Sequence, residues 1–313
     1  MSVLIDARTA LFGALIDHAG LLPPDPIEMR EAVTEYREAR GARTGWIAGR
    51  FQCPASRLED LAAQLTRTME PGEARWEICV IFDQEPGAAA SAITAFEGAV
   101  DPAASVVITQ SQIPAEATRA DIAQAFMAAT TVKPSITAFL EIGRDADWER
   151  QIPANVDIVD AVRKEALRTG GAVFRCGGPD PADTPITGQV AAFIVACHAR
   201  DVPFRFAGGP DHPIRHHDPH SGVMRHGFVN LIAASSLAAQ GEGELAVLEA
   251  VDETDPEAFV IGATGMRWRD REIGTRAIIA ARSAGIVGLG SREFADPVAD
   301  LDRMRFLPPG GGR

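Results

Sequence analysis

The chain has 313 residues, 46% hydrophobic and 23% charged, with a formal net charge of −13. This is the balance of a globular protein long enough to bury a large core, and its acidity argues against the basic face that nucleic-acid binding needs. No run approaches the roughly 20 apolar residues of a membrane span, and the opening segment, with Asp6, Arg8 and Asp17 in an amphipathic pattern, lacks signal-peptide organisation. A cytoplasmic location without membrane or nucleic-acid partners is expected, and a homo-oligomer is left open.

Taken in chain order, two helices are predicted first, over 3–16 and 27–40, joined by the turn Leu22-Pro23-Pro24-Asp25-Pro26. Strands are then predicted over 46–53, 76–83, 105–109, 137–142, 172–176, 204–207, 258–261 and 286–289. Helical stretches lie between them, over 56–68, 88–100, 115–129, 157–169, 187–200, 222–240 and 271–284. Strands alternating with helices imply a parallel sheet covered by helices. Eight of them fit a (β/α)8 TIM-type barrel, with residues 1–42 as an N-terminal helical extension and 43–313 as the barrel, one domain overall. An open doubly wound α/β sheet is the alternative; the strand at 258–261 is weakly marked, and 245–250 reads as either strand or helix.

Two successive strands end in the same turn. Gly177-Gly178-Pro179-Asp180 follows the fifth predicted strand and Gly208-Gly209-Pro210-Asp211 the sixth. Glycine lets a backbone approach a ligand closely, so Gly178 and Gly209 are candidates for substrate binding at the mouth of the barrel.

Five of the seven histidines lie between residues 212 and 226: His212, His216, His217, His220 and His226. Imidazole is both a near-neutral acid–base group and a metal ligand. His212, nearest the strand end, and His216 are the candidates for catalysis or metal binding. A helix starting near Ser221 is expected to put His226 and Asn230 on one face, with Asn230 a substrate-binding candidate. Glu141 ends an apolar strand, where an inward carboxylate needs a cation, a proton or a metal; it completes the expected metal set of His212, Glu141 and His216. Arg175 is a guanidinium within a strand, suited to a carboxylate or phosphate, and Arg50 is a second anion-binding candidate. Cys176 reads as a buried hydrophobe more readily than as a nucleophile.

The four cysteines form no Cys-x-x-Cys pair, and the only lysines are Lys133 and Lys164. Lys133 precedes a strand and Lys164 sits on a helix, so neither is expected at the mouth. This argues against Schiff-base and pyridoxal-phosphate chemistry. With no phosphate-loop or dinucleotide fingerprint, neither NAD nor a nucleotide is expected, and a divalent metal ion is the one cofactor left open.

The combination of Asp17-His18-Ala19-Gly20-Leu21-Leu22-Pro23-Pro24, Phe174-Arg175-Cys176-Gly177-Gly178 and His212-Pro213-Ile214-Arg215-His216 with Gly227-Phe228-Val229-Asn230 resembles an uncharacterised bacterial family of barrel proteins. It implies the fold and no activity. His216-His217-Asp218 is also similar to the metal-binding strand of metal-dependent acyl-CoA lyase and isopropylmalate synthase barrels, but their Arg-Asp pair near the first strand is replaced by Gly49-Arg50-Phe51. The expected activity is a lysine-independent lyase or aldolase acting on a small anionic carbonyl compound. A metal-assisted hydrolase using the same residues and a non-catalytic ligand-binding barrel are the alternatives.

Overall fold

Eight parallel strands close on themselves in the computed structural model, which describes residues 5–70, 72–100, 106–113, 119–144, 147–178, 180–292 and 294–308. They are β1 (Ile16–His18), β2 (Ala48–Pro54), β3 (Trp76–Ile81), β4 (Val106–Ile113), β5 (Thr137–Glu141), β6 (Gly170–Arg175), β7 (Phe204–Ala207) and a closing strand, Ile286–Ser291. Each pairs with its neighbours in the chain, and the closing strand pairs with β1. The fold is a (β/α)8 barrel.

The eight strands are not the eight expected. Residues 16–18 belong to the barrel, and the segment near 258–261 does not. The first helix, Ala7–Phe12, starts where the Asp6 carboxylate caps the Arg8 N–H and stops at Gly13. Ala14 then turns at φ 47° and the chain enters β1, three residues long and buried throughout. So short and continuously buried a strand carries neither a helical nor an alternating period. The first strand–helix unit of the barrel, β1 with the helix Met29–Gly41, thus lies within residues 1–42. Phe259–Ile261 instead begins a three-stranded antiparallel sheet with Gly265–Trp268 and Arg271–Gly274. This sheet lies beside the first helix, tied to it by the Ala7 N–H to the Ala263 carbonyl. Residues 245–250 are helical, within Glu244–Asp252.

The main core lies between strands and helices. Phe174 of β6 stacks on Phe193 of the helix Thr187–His198 at 4.7 Å, and Phe193 meets Phe204 edge-on at 5.3 Å. On the opposite side, Tyr36, Phe51 and Trp76 pack together beneath the Met29–Gly41 helix. The barrel interior is different in kind. A small apolar cluster of Phe139, Val173 and Ala207 shares it with Asp17, Gln52, Gln110 and Arg205, all buried.

Arg205 sits on β7, yet its guanidinium bonds Asp17 on β1 and Gln110 on β4, strands that are not its neighbours. Only a path through the interior connects them. Asp17 also accepts the Arg50 backbone N–H at 2.6 Å. Burial works against the Arg205 charge, but the Asp17 carboxylate outweighs it and holds the guanidinium protonated. Glycine makes the room: a Cβ on Gly290 would stand 2.8 Å from the Gln52 amide nitrogen. The Gly288-Leu289-Gly290 stretch thus lies within a strand, where it accommodates interior side chains.

Among the described residues, no helix is long and apolar enough to cross a membrane.

Candidate functional site

The strand ends that bear Glu141, Arg175 and Ala207 define the mouth of the barrel. Glu141 closes β5 and Arg175 closes β6, and the two form a bidentate ion pair: Arg175 Nε to Glu141 Oε1 at 2.8 Å and Nη2 to Oε2 at 3.0 Å. That hydrogen bonding raises the Arg175 pKa above its ordinary value, against the opposing effect of burial. Both Glu141 oxygens are thereby engaged by Arg175. Nη1 of Arg175 points the other way, 3.4 Å from where a Cβ on Gly208 would be.

The paired Gly-Gly turns pack on each other. Gly208 has φ 55° and Gly209 φ 129°, the left-handed side that favours glycine. A Cβ on Gly208 would lie 2.6 Å from the Gly177 carbonyl oxygen, and one on Gly209 would lie 2.9 Å from that of Cys176. The repeated turn is therefore a backbone-to-backbone contact between consecutive strand exits. Gly178 packs in turn on the Asp183 carboxylate, whose oxygen a Cβ would approach to 2.3 Å.

Beyond β7 the histidine-rich segment is a small hairpin. His216–His217 pairs antiparallel with Met224–Arg225, setting His216 directly opposite Arg225. Asp218 organises the turn by accepting from the His220 N–H and the Ser221 hydroxyl, which hold its carboxyl well below the usual carboxylate range. Cross-strand partners present their side chains on the same face. The hairpin thus brings His216 and Arg225 together beside Asp211. Arg225 Nη1 reaches back to the first glycine turn, 2.6 Å from where a Cβ on Gly177 would be.

Asp211 accepts a hydrogen bond from the Ser291 hydroxyl at the end of the closing strand, at 2.8 Å. Burial pushes its carboxyl up, with the Ser291 bond and the charges of His212, Arg225 and His216 pulling the other way. His212 Nδ1 lies 2.5 Å from Asp300 Oδ2 on the last helix, Ala295–Arg303. Its side chain is about half exposed, at 47%, while that of Asp300 is 9% exposed. With Nδ1–H donated to the carboxylate, Nε2 is left as the acceptor. His216 repeats the pattern, donating Nδ1–H to the Ile214 carbonyl at 3.0 Å, and its ring meets that of His212 edge-on at 4.5 Å. A polar rim thus runs from Glu141 and Arg175 over the glycine turns to Arg225, Asp211, Ser291, His212 and His216.

Other expected residues lie elsewhere. Arg50 joins Thr109 at 3.2 Å and Glu77 at 3.6 Å, and Glu77 is the second residue of β3. Arg50, the third residue of β2, is therefore toward the end of the barrel opposite the mouth. The helix expected from Ser221 begins at Phe228, so His226 lies outside it and bonds the Pro185 carbonyl at 2.8 Å. Asn230 is fully buried. It accepts the Arg215 N–H and donates to the Ala250 and Glu253 carbonyls, so its amide fastens loops instead of facing the mouth. His217 and His220 are exposed. The Cys176 thiol is buried, with its pKa pushed up by desolvation. The expected metal set of His212, Glu141 and His216 does not come together, and among the described residues no three His, Cys, Asp or Glu side chains converge as a metal cage would.

Asp300, Arg225 and Asp211 were missed or unranked in the sequence. Asp300 lies 88 positions from His212, and nothing local announces the contact. Arg225 had a signal, a basic residue facing a histidine across a short turn.

A cavity of about 660 Å3 lies on the outside of the barrel between the Met29–Gly41 and Ala295–Arg303 helices, lined by Ile27, Glu35, Ala39, Phe294 and Val298 among others. It includes none of the rim residues. His18 lies under the Met29–Gly41 helix. It stacks on Phe51 at 5.4 Å and contacts Glu35 at 3.1 Å.

No protein-family model matches the chain, and no curated protein matches it. Among solved structures it is similar to "QR15, an Aldolase", at 10% sequence identity and a TM-score of 0.46, covering 98% of this chain and 100% of that one.

Proposed function

We propose that the chain is a lysine-independent lyase of the aldolase type, acting on a small anionic carbonyl compound at the rim just described. The observation that carries this reading is the His212–Asp300 hydrogen bond. A carboxylate on Nδ1 fixes the imidazole tautomer and leaves Nε2 as a general base, on a half-exposed side chain at the end of a barrel where active sites form. In carbon–carbon cleavage His212 takes the proton of the substrate hydroxyl, and the bonding electrons pass to the carbonyl as an enolate. Arg175, held by Glu141, binds the anionic group and stabilises developing negative charge. The imidazolium so formed at His212 returns the proton to the enolate, which restores the neutral ring.

The two lysines support the lysine-independent part. Lys133 bonds Glu97 at 2.5 Å and Lys164 bonds Asp160 at 2.6 Å, each between or within outer helices and their connections.

The test is a screen of small hydroxy-oxo acids and their phosphorylated counterparts, with products identified by mass spectrometry. Matched carbonyl fragments from one substrate, lost in His212→Gln, are expected. Release of a hydrolysis product, or full turnover by His212→Gln, would overturn the reading.

A further inference from the structure

We infer that Arg225 is the second arm of the anion site, and that Arg175 and Arg225 together cradle a carboxylate over the touching glycine turns, which makes the substrate a small oxo acid rather than a phosphate ester. The inference rests on the reading that Arg175 holds the substrate anion.

The two guanidinium groups bracket one patch of bare backbone. Arg175 Nη1 lies over Gly208 and Arg225 Nη1 over Gly177, at 3.4 and 2.6 Å from where a Cβ would be. The turns themselves are in contact, since a Cβ on Gly177 would stand 3.0 Å from the Gly208 carbonyl oxygen. Side chains on these glycines would fill the space between the arginines.

Each arginine also keeps donors in reserve. Arg175 spends Nε and Nη2 on Glu141, while Arg225 makes one long contact, Nε to Asp218 Oδ2 at 3.4 Å. Among the described residues, Nη1 of each has no protein hydrogen-bond partner. Two donors on two separately held forks match the two oxygens of one carboxylate. Arg225 is carried by the pairing of its strand with His216, so the second arm comes from the histidine hairpin itself.

Charge selects between carboxylate and phosphate. Glu141 already offsets Arg175 and Asp218 offsets Arg225, while Asp211 is close enough to Arg225 to feel its charge. A dianion would meet three carboxyl groups and two cations that are already compensated. A monoanion asks for less, and the chain as a whole carries −13.

Isothermal titration calorimetry on the full chain, with pyruvate and inorganic phosphate as separate probes, tests this. Saturable pyruvate binding is expected, with phosphate at least tenfold weaker. Arg225→Gln should weaken pyruvate binding at least tenfold with the melting temperature preserved. Gly177→Ala, which pushes a methyl against Arg225 Nη1, should weaken it several-fold and serves if Arg225→Gln does not fold. If Arg175→Gln loses binding and Arg225→Gln keeps it, the cradle is overturned while the lyase reading stands. Phosphate binding as tight as pyruvate overturns the carboxylate assignment, and failure of both probes to bind overturns the cradle.

Discussion

Arg205 and Asp17, 188 positions apart in the chain, meet inside the barrel as an ion pair with neither side chain exposed. The pair joins β7 to β1 across the interior, next to the seam where the closing strand completes the barrel. Its energetic character follows from burial: an isolated charge there is costly, and only the partner makes it tolerable.

Removing one partner should therefore cost more than removing both. Asp17→Asn is expected to destabilise the protein by about 3–5 kcal/mol, and Asp17→Leu with Arg205→Met should recover most of that. Urea denaturation of the three proteins checks this. Equal losses for the single and double variants would show that the pair is not the source.

Acid should weaken the fold through two histidines that are buried neutral. Burial pushes His198 and His226 down to about 4, against about 6.5 in an unfolded chain. Below about 6.5 the unfolded chain takes up protons that the folded one refuses, so stability falls as pH drops toward 4. The slope is up to about 1.4 kcal/mol per pH unit for each histidine. A His198→Gln, His226→Gln variant should show a flatter melting-temperature profile over that window. An unchanged slope would mean these rings are protonated in the folded protein.

The glycine turns should not tolerate a side chain. Gly208→Ala and Gly209→Ala place a Cβ on positive-φ backbone and within 2.6 and 2.9 Å of carbonyl oxygens of the facing turn. A loss of about 1–3 kcal/mol is expected at each, read by thermal denaturation and accompanied by weaker pyruvate binding.

Turnover should also survive the loss of both lysines. Lys133→Arg with Lys164→Arg is expected to retain activity, and borohydride added with substrate should not inactivate the wild type. Inactivation would show an imine and overturn the lysine-independent mechanism.

The barrel was legible because parallel strands buried on both faces leave apolar runs between helical stretches, as in Ala172-Val173-Phe174. Its first strand was not, because Ile16–His18 is too short to show a period. Missing it shifted the numbering of the strands by one. The importance of the Gly-Gly-Pro-Asp echo and of Arg175 was readable from residue type alone: glycine marks a close approach and arginine in a strand needs a partner. Which partner was not readable. Glu141 for Arg175, Asp300 for His212 and Asp17 for Arg205 are set by barrel closure, which brings together residues with no local relation. Asn230 shows the converse, a polar residue in an apolar helix whose amide serves three backbone groups.

The most direct test of the His212–Asp300 site is kcat for the wild type, His212→Gln and Asp300→Asn on the substrate found by the cleavage screen. Loss of the base should lower kcat on the order of 10²–10⁴-fold. Asp300→Asn should lower it less, because the imidazole keeps its base but loses the carboxylate that orients it and fixes its tautomer. Wild-type kcat in both variants would contradict the His212–Asp300 site.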